Sequence, residues 1–168
     1  MRNKRNTLKS PHLVKGYCDL PNLESSLVIA FHAYSRWITR CMVAACGESM
    51  GAIDVLVLRY INSSPQHAKR LTDVCIALNI VDSYIVSYAL KKMIGLNLVC
   101  AAKNGKENFY KITKQGARAC EQYNTLYEAC FIAKLNASSI PGMSVQTDSR
   151  IMQYLAVQYD MASRELII

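Results

Sequence analysis

The sequence lacks the features that mark several large protein classes. No apolar run approaches the ~20 residues a membrane-spanning helix needs. The most apolar stretch, Leu27 to Tyr34, is short and is interrupted by His32. The first residues, MRNKRNTLKSPHLVKGY, are basic and lack the apolar core of a secretion signal. The expected location is the cytoplasm, with no membrane partner. Seven cysteines, at 18, 41, 46, 75, 100, 120 and 130, include no C-x-x-C pair. That pattern suits neither a disulfide scaffold nor a zinc site. Small buried residues in a reducing compartment are expected instead. The three histidines (12, 32 and 67) are scattered. No Ser/His/Asp set, phosphate-cradling glycine loop or carboxylate pair stands out, so neither an enzyme nor a cofactor is expected. There are no internal repeats and no low-complexity segments.

What is present is a foldable chain with misplaced charge. Of 168 residues, 51% are apolar, enough for a sizeable core and too many for a disordered chain. The net charge is +8, and it is uneven: +4 over residues 1–20, +5 over 65–115 and −1 over the rest. Positive charge concentrated on one segment suggests a surface that faces a polyanion.

The chain reads as a flexible basic arm (1–18), a long helix (19–48), a compact central region (49–116) and C-terminal helices (117–168). In the long helix Leu23, Leu27, Ala30, Phe31, Tyr34, Ile38, Cys41 and Ala45 recur at 3–4 spacing. Leu20-Pro21 suits its start and Gly47 its end. A second helix is expected over 49–62, ended by Ser63-Ser64-Pro65. A third runs from an N-cap at Thr72 to Leu78, and a fourth from an N-cap at Asp82 to about Leu96. Strands are expected over 98–102 and 108–112, with Lys103-Asn104-Gly105-Lys106 between them; Asn-Gly is a strong hairpin signal. Thr113 caps a helix predicted to reach about Leu135. A loop over 136–147 and a last helix over 148–166 complete the chain.

Two short helices joined by a tight turn and followed by a hairpin make a winged helix-turn-helix. Its second helix enters the major groove of DNA. The helix after Asp82 suits that task. Val86, Ala89, Leu90 and Met93 form an inward stripe, and Ser83, Tyr84, Ser87, Tyr88 and Lys91 the opposite face. Two readings of Tyr88 stand side by side: an exposed contact residue, or a ring packed on the neighbouring helix. The wing tip carries Lys103, Asn104, Lys106 and Asn108, suited to the phosphate backbone or the minor groove. Thr72 and Lys92 complete the expected DNA-binding set, with Lys91, Lys92, Lys103 and Lys106 on phosphates.

Residues Val86-Ser-Tyr-Ala-Leu-Lys-Lys-Met-Ile-Gly-Leu-Asn-Leu-Val99 resemble the reading helix and first wing strand of the MarR family of regulators. Ile112-Thr113-Lys-Gln-Gly116 is similar to the family's L-T-x-x-G stretch, and Thr72 to Leu78 to its bracing helix. Four departures stand out. Tyr88 occupies a position where the family often has Arg, Asn97 one where Gly is usual, the wing lacks an Asp-x-Arg arrangement, and the turn before Asp82 is one residue longer.

The resemblance implies a mainly α fold with a small β-hairpin wing, flanked by N- and C-terminal dimerisation helices. It further implies a homodimer on a pseudopalindromic operator in double-stranded DNA, acting as a repressor. The long first helix, and a last helix bearing Ile151, Tyr154, Leu155, Gln158, Tyr159 and Ala162, agree in needing a partner surface. Many family members bind a small, often aromatic, effector between the dimer helices and the winged domain. His32, Tyr34 and Trp37 are candidates to line such a pocket, or are interface packing. The peroxide-sensing branch places its reactive cysteine early in the first long helix, where Val28 stands here; Cys18 is the remaining redox candidate. The competing reading is a winged-helix module for protein interaction or DNA architecture, without sequence-specific binding.

Overall fold

In the computed structural model, residues 20–134 and 145–165 are described. The elements run α1 (Leu20–Cys46), α2 (Ala52–Asn62), β1 (Lys69–Arg70), α3 (Leu71–Ala77), α4 (Ser83–Gly95), β2 (Val99–Asn104), β3 (Glu107–Ile112) and α5 (Lys114–Tyr127). A π-helical turn, Glu128–Ile132, and α6 (Val145–Glu165) follow. Residues through Tyr127 form one compact unit and those from Glu128 a second. The basic arm, Cys18 and most of the predicted 136–147 loop lie outside the described residues. The mainly helical fold with a small antiparallel wing matches the expectation.

The core of the first unit follows from the apolar spacing. The second half of α1 buries Ile38, Cys41, Met42 and Ala45, and packs on α5 and α2. Helix α2 adds Val55, Val57, Leu58 and Ile61, and α4 adds Val86, Ala89, Leu90 and Met93. The first half of α1 does not share that core. Val28, Ile29, Phe31 and Tyr34 are exposed on the single chain. Apolar residues at helical spacing therefore change role along one helix, from core at its end to uncovered surface at its start.

Several local expectations are corrected. Arg70, not Thr72, is the N-cap of α3; Thr72 lies exposed within the first turn. The reason is Asp73, whose carboxylate accepts the Arg70 backbone N–H at 2.9 Å. Lys69 and Arg70 also form a strand unmarked by any apolar alternation. It pairs with Tyr110 and Phe109, making a three-stranded antiparallel sheet in the order β1-β3-β2. The wing strands are longer than predicted, with Asn104 paired to Glu107. The two-residue loop is thus Gly105-Lys106, with Gly105 at φ +61° in its first position, where such a turn needs a residue free of Cβ strain. The helix after the wing gives way to the π-helical turn at Glu128, and the last helix starts earlier, at Val145.

Both helices of the helix-turn-helix end the same way. Asn79 (φ 50°) and Asn97 (φ 56°) take left-handed conformations just past α3 and α4. The Ile80 N–H reaches the Cys75 carbonyl, and the Leu98 N–H the Met93 carbonyl, each at 2.9 Å. These are Schellman closures, in which Asn is the commonest substitute for Gly. Asn97 thus occupies a glycine position without losing the motif.

Candidate nucleic-acid interface

Helix α4, the predicted reading helix, is fixed at both ends. At its start, the Asp82 carboxylate accepts the Tyr84 N–H at 2.9 Å, as the sequence suggests. In its last turn, Lys92 Nζ donates to Asp54 Oδ2 at 2.7 Å. Asp54 is the one buried charged residue among the described residues, and it also accepts the Gly51 N–H that opens α2, at 2.9 Å. One carboxylate therefore caps α2 and ties it to α4. Lys92, expected on a phosphate, is ion-paired with Asp54, whereas the adjacent Lys91 is exposed.

At the far end, the turn from α4 into the wing is held by Thr113, which follows β3. Its hydroxyl donates to the Asn97 carbonyl at 2.7 Å and accepts the Gly116 N–H at 3.0 Å, which caps α5. The Thr113 N–H in turn donates to the Leu98 carbonyl at 3.0 Å. Gly116 sits so close to that carbonyl that any Cβ would overlap the Leu98 oxygen and press on Ile112. Thr113 and Gly116 thus weld the wing's exit to the end of α4. Asn97 adds a contact from its side-chain amide to Gln115 Oε1 at 3.2 Å.

With the helix so held, its outward face carries Ser83, Tyr84, Tyr88 and Lys91, all exposed, and Ser87, half-buried. Tyr88 does not pack away on a neighbour; it is 72% exposed, and Tyr84 is 84% exposed. The two rings line a shallow cleft with Ile53, Asp54 and Ile85. The wing residues Lys103, Asn104, Lys106 and Asn108 are exposed around the hairpin turn. Thr72 and Asn108 line a second cleft with Arg70, Leu71, Glu107 and Tyr110, which brings the start of α3 beside the wing.

Arg70 and Asp54 are participants that spacing alone does not single out. Arg70 forms an ion pair with Asp73 at 3.0 Å and reaches Glu107 at the base of the wing tip, at 3.9 Å. The hydrogen-bonded guanidinium holds the Asp73 carboxyl below its usual range. A wing without the Asp-x-Arg arrangement is braced here from α3. The available signal is an acid three residues after each N-cap: Asp54 after Gly51 and Asp73 after Arg70.

The candidate effector residues lie on α1. His32 and Tyr34 are exposed, with His32 edge-on to Phe31 at 5.6 Å, and Trp37 is half-buried against the core. Among the described residues no cluster of His, Cys, Asp or Glu could hold a metal, and no helix is long and apolar enough to cross a membrane.

Residues 50–116 match the model of the winged helix DNA-binding domain family. No curated protein matches the chain by sequence. Solved structures match over most of its length. The transcriptional regulator BldR from Sulfolobus solfataricus is 10% identical, with a TM-score of 0.65 over 86% of this chain and 99% of BldR. A mutant MarR from E. coli is 16% identical, with a TM-score of 0.56 over 82% of this chain and 95% of that one. A MepR mutant from S. aureus, bound to an oligodeoxyribonucleotide, is 11% identical, with a TM-score of 0.53 over 83% and 97%. At these identities the likeness is one of fold. Residues 50–116 are thus similar to a winged helix DNA-binding domain, set within a MarR-like fold.

Proposed function

We propose that the protein is a transcription regulator, most simply a cytoplasmic repressor, that binds a pseudopalindromic operator in double-stranded DNA as a homodimer. The observation that carries this reading is α4. It buries one complete stripe, is capped and braced at three points, and leaves its opposite face uncovered beside a lysine-bearing wing. Ser83, Tyr84, Ser87 and Tyr88 would approach base edges in the major groove. Lys91, Lys103 and Lys106 would contact phosphates, with Asn104 and Asn108 on the wing and Thr72 at the start of α3. The DNA-bound MepR structure is consistent with such a partner.

Dimerisation is supported by the exposed apolar residues at the start of α1 and, separately, by those of α6, where Tyr154, Val157, Tyr159 and Met161 are uncovered. A two-fold dimer would place two reading helices about 34 Å apart, one turn of DNA. A small aromatic effector near His32, Tyr34 and Trp37 is part of the same proposal.

A second reading has its own support. Ile76, Val81, Tyr84, Ile85 and Tyr88 make the helix-turn-helix surface apolar, as a protein-interaction module would be. Selection of bound duplexes from a random library separates the two. Enrichment of paired half-sites one turn apart supports the operator reading, and no enrichment supports the interaction module.

A further inference from the structure

The outer face of α4 offers an unusual chemistry to a base pair. Ser83 to Gly95 contain no Arg, Asn, Gln, Asp or Glu. Guanine is most often recognised by an Arg or Lys cation, adenine by an Asn or Gln amide, and cytosine by a carboxylate. Of those groups the outer face holds only Lys91, two turns from the start of the helix and assigned above to phosphate. Arg70, the last arginine before it in the chain, is occupied by Asp73.

The outward surface is instead tyrosine and isoleucine. Tyr84 and Tyr88 are one helical turn apart, and Ile85, 46% exposed, flanks them. All three line one cleft, and Val81, just before the helix, is 96% exposed. Apolar surface gathered in this way implies a partner that covers it. Exposed Lys91 on the same face, with Lys103 and Lys106 on the wing, makes that partner anionic. Duplex DNA meets both demands where its major groove displays the 5-methyl groups of thymine.

We infer that α4 selects its site through apolar contact of Tyr84, Tyr88 and Ile85 with thymine methyl groups, so that the preferred half-sites are rich in thymine. The inference rests on the DNA-binding reading above and adds the chemistry by which sequence is read. One methyl buried against an apolar side chain is worth about a fourfold preference. A bidentate base contact gives about tenfold or more. Specificity is therefore spread over several methyls rather than fixed by one base.

The test begins with a duplex selected from a random library. Each half-site thymine is then replaced by deoxyuridine, which removes the methyl and nothing else. The expected result is a thymine-rich half-site in which two or more positions each lose about fourfold in affinity. Tyr84→Ser, at an exposed position, removes the deoxyuridine penalty at the base it covers. Selection of G·C-rich half-sites, or equal affinity for the deoxyuridine duplex, overturns the inference and leaves DNA binding intact. Failure to bind any duplex overturns the DNA-binding reading and this inference with it.

Discussion

Gly116 shows how a single residue can be fixed by contact rather than by torsion. Its Cβ position is filled by the Leu98 carbonyl, and that oxygen already accepts the Thr113 N–H. Gly116→Ala is expected to cost about 3 kcal/mol, read as a lowered midpoint in denaturant. Asn97→Gly, at a left-handed position, is the control and is expected to keep the wild-type midpoint. The cysteines divide by environment. Burial pushes the Cys120 thiol up to about 11, whereas Cys100 and Cys130 are exposed. Alkylation at pH 8 followed by mass mapping is expected to label Cys100 and Cys130 and to spare Cys120. Asp73 sets a pH dependence. Its carboxyl is held below the unfolded value by Arg70, so its contribution is complete above the ordinary Asp range and is lost as pH falls toward the folded value. The stability gap between the wild type and Asp73→Asn should close on acidification over that window.

Among the elements, α4 depends on its neighbours for placement, and those neighbours were unequally legible in the sequence. Its inward stripe, the Asp82 cap and the Thr113 cap follow from residue type and spacing, and all three are found. The strand at Lys69 and Arg70 was not legible. Two basic residues carry no period, and they pair only because β3 passes alongside. The inward turn of Lys92 was hidden for a similar reason: its partner Asp54 lies 38 residues away on α2. The break at Glu128 has no marker in the sequence that accounts for it. The Asp54–Lys92 link separates two adjacent lysines by function. Asp54→Ala, which removes the α2 cap and leaves the Lys92 ammonium unpaired, is expected to destabilise by about 2 kcal/mol in thermal or denaturant unfolding. Lys91→Ala should leave stability within about 0.5 kcal/mol of wild type.

For the whole molecule, charge and uncovered apolar surface point to two kinds of partner. The proposed dimer would cover the exposed start of α1 with a second copy of the chain. Phe31→Glu is expected to shift the mass seen by light scattering from dimer toward monomer, and an unchanged mass would remove α1 from the interface. The basic central segment is the proposed DNA surface. The proposed interface assigns phosphate contacts to Lys91 on the reading helix and Lys106 on the wing, and withholds one from Lys92. The salt dependence of duplex affinity measures such contacts directly, because each phosphate neutralised contributes about 0.9 to the slope of log affinity against log salt. The measurement is that slope for the wild type and for Lys91→Ala/Lys106→Ala. A slope lower by about 2 per protomer in the double variant is the predicted result. An unchanged slope, or a wild type that binds no duplex at low salt, would contradict the account.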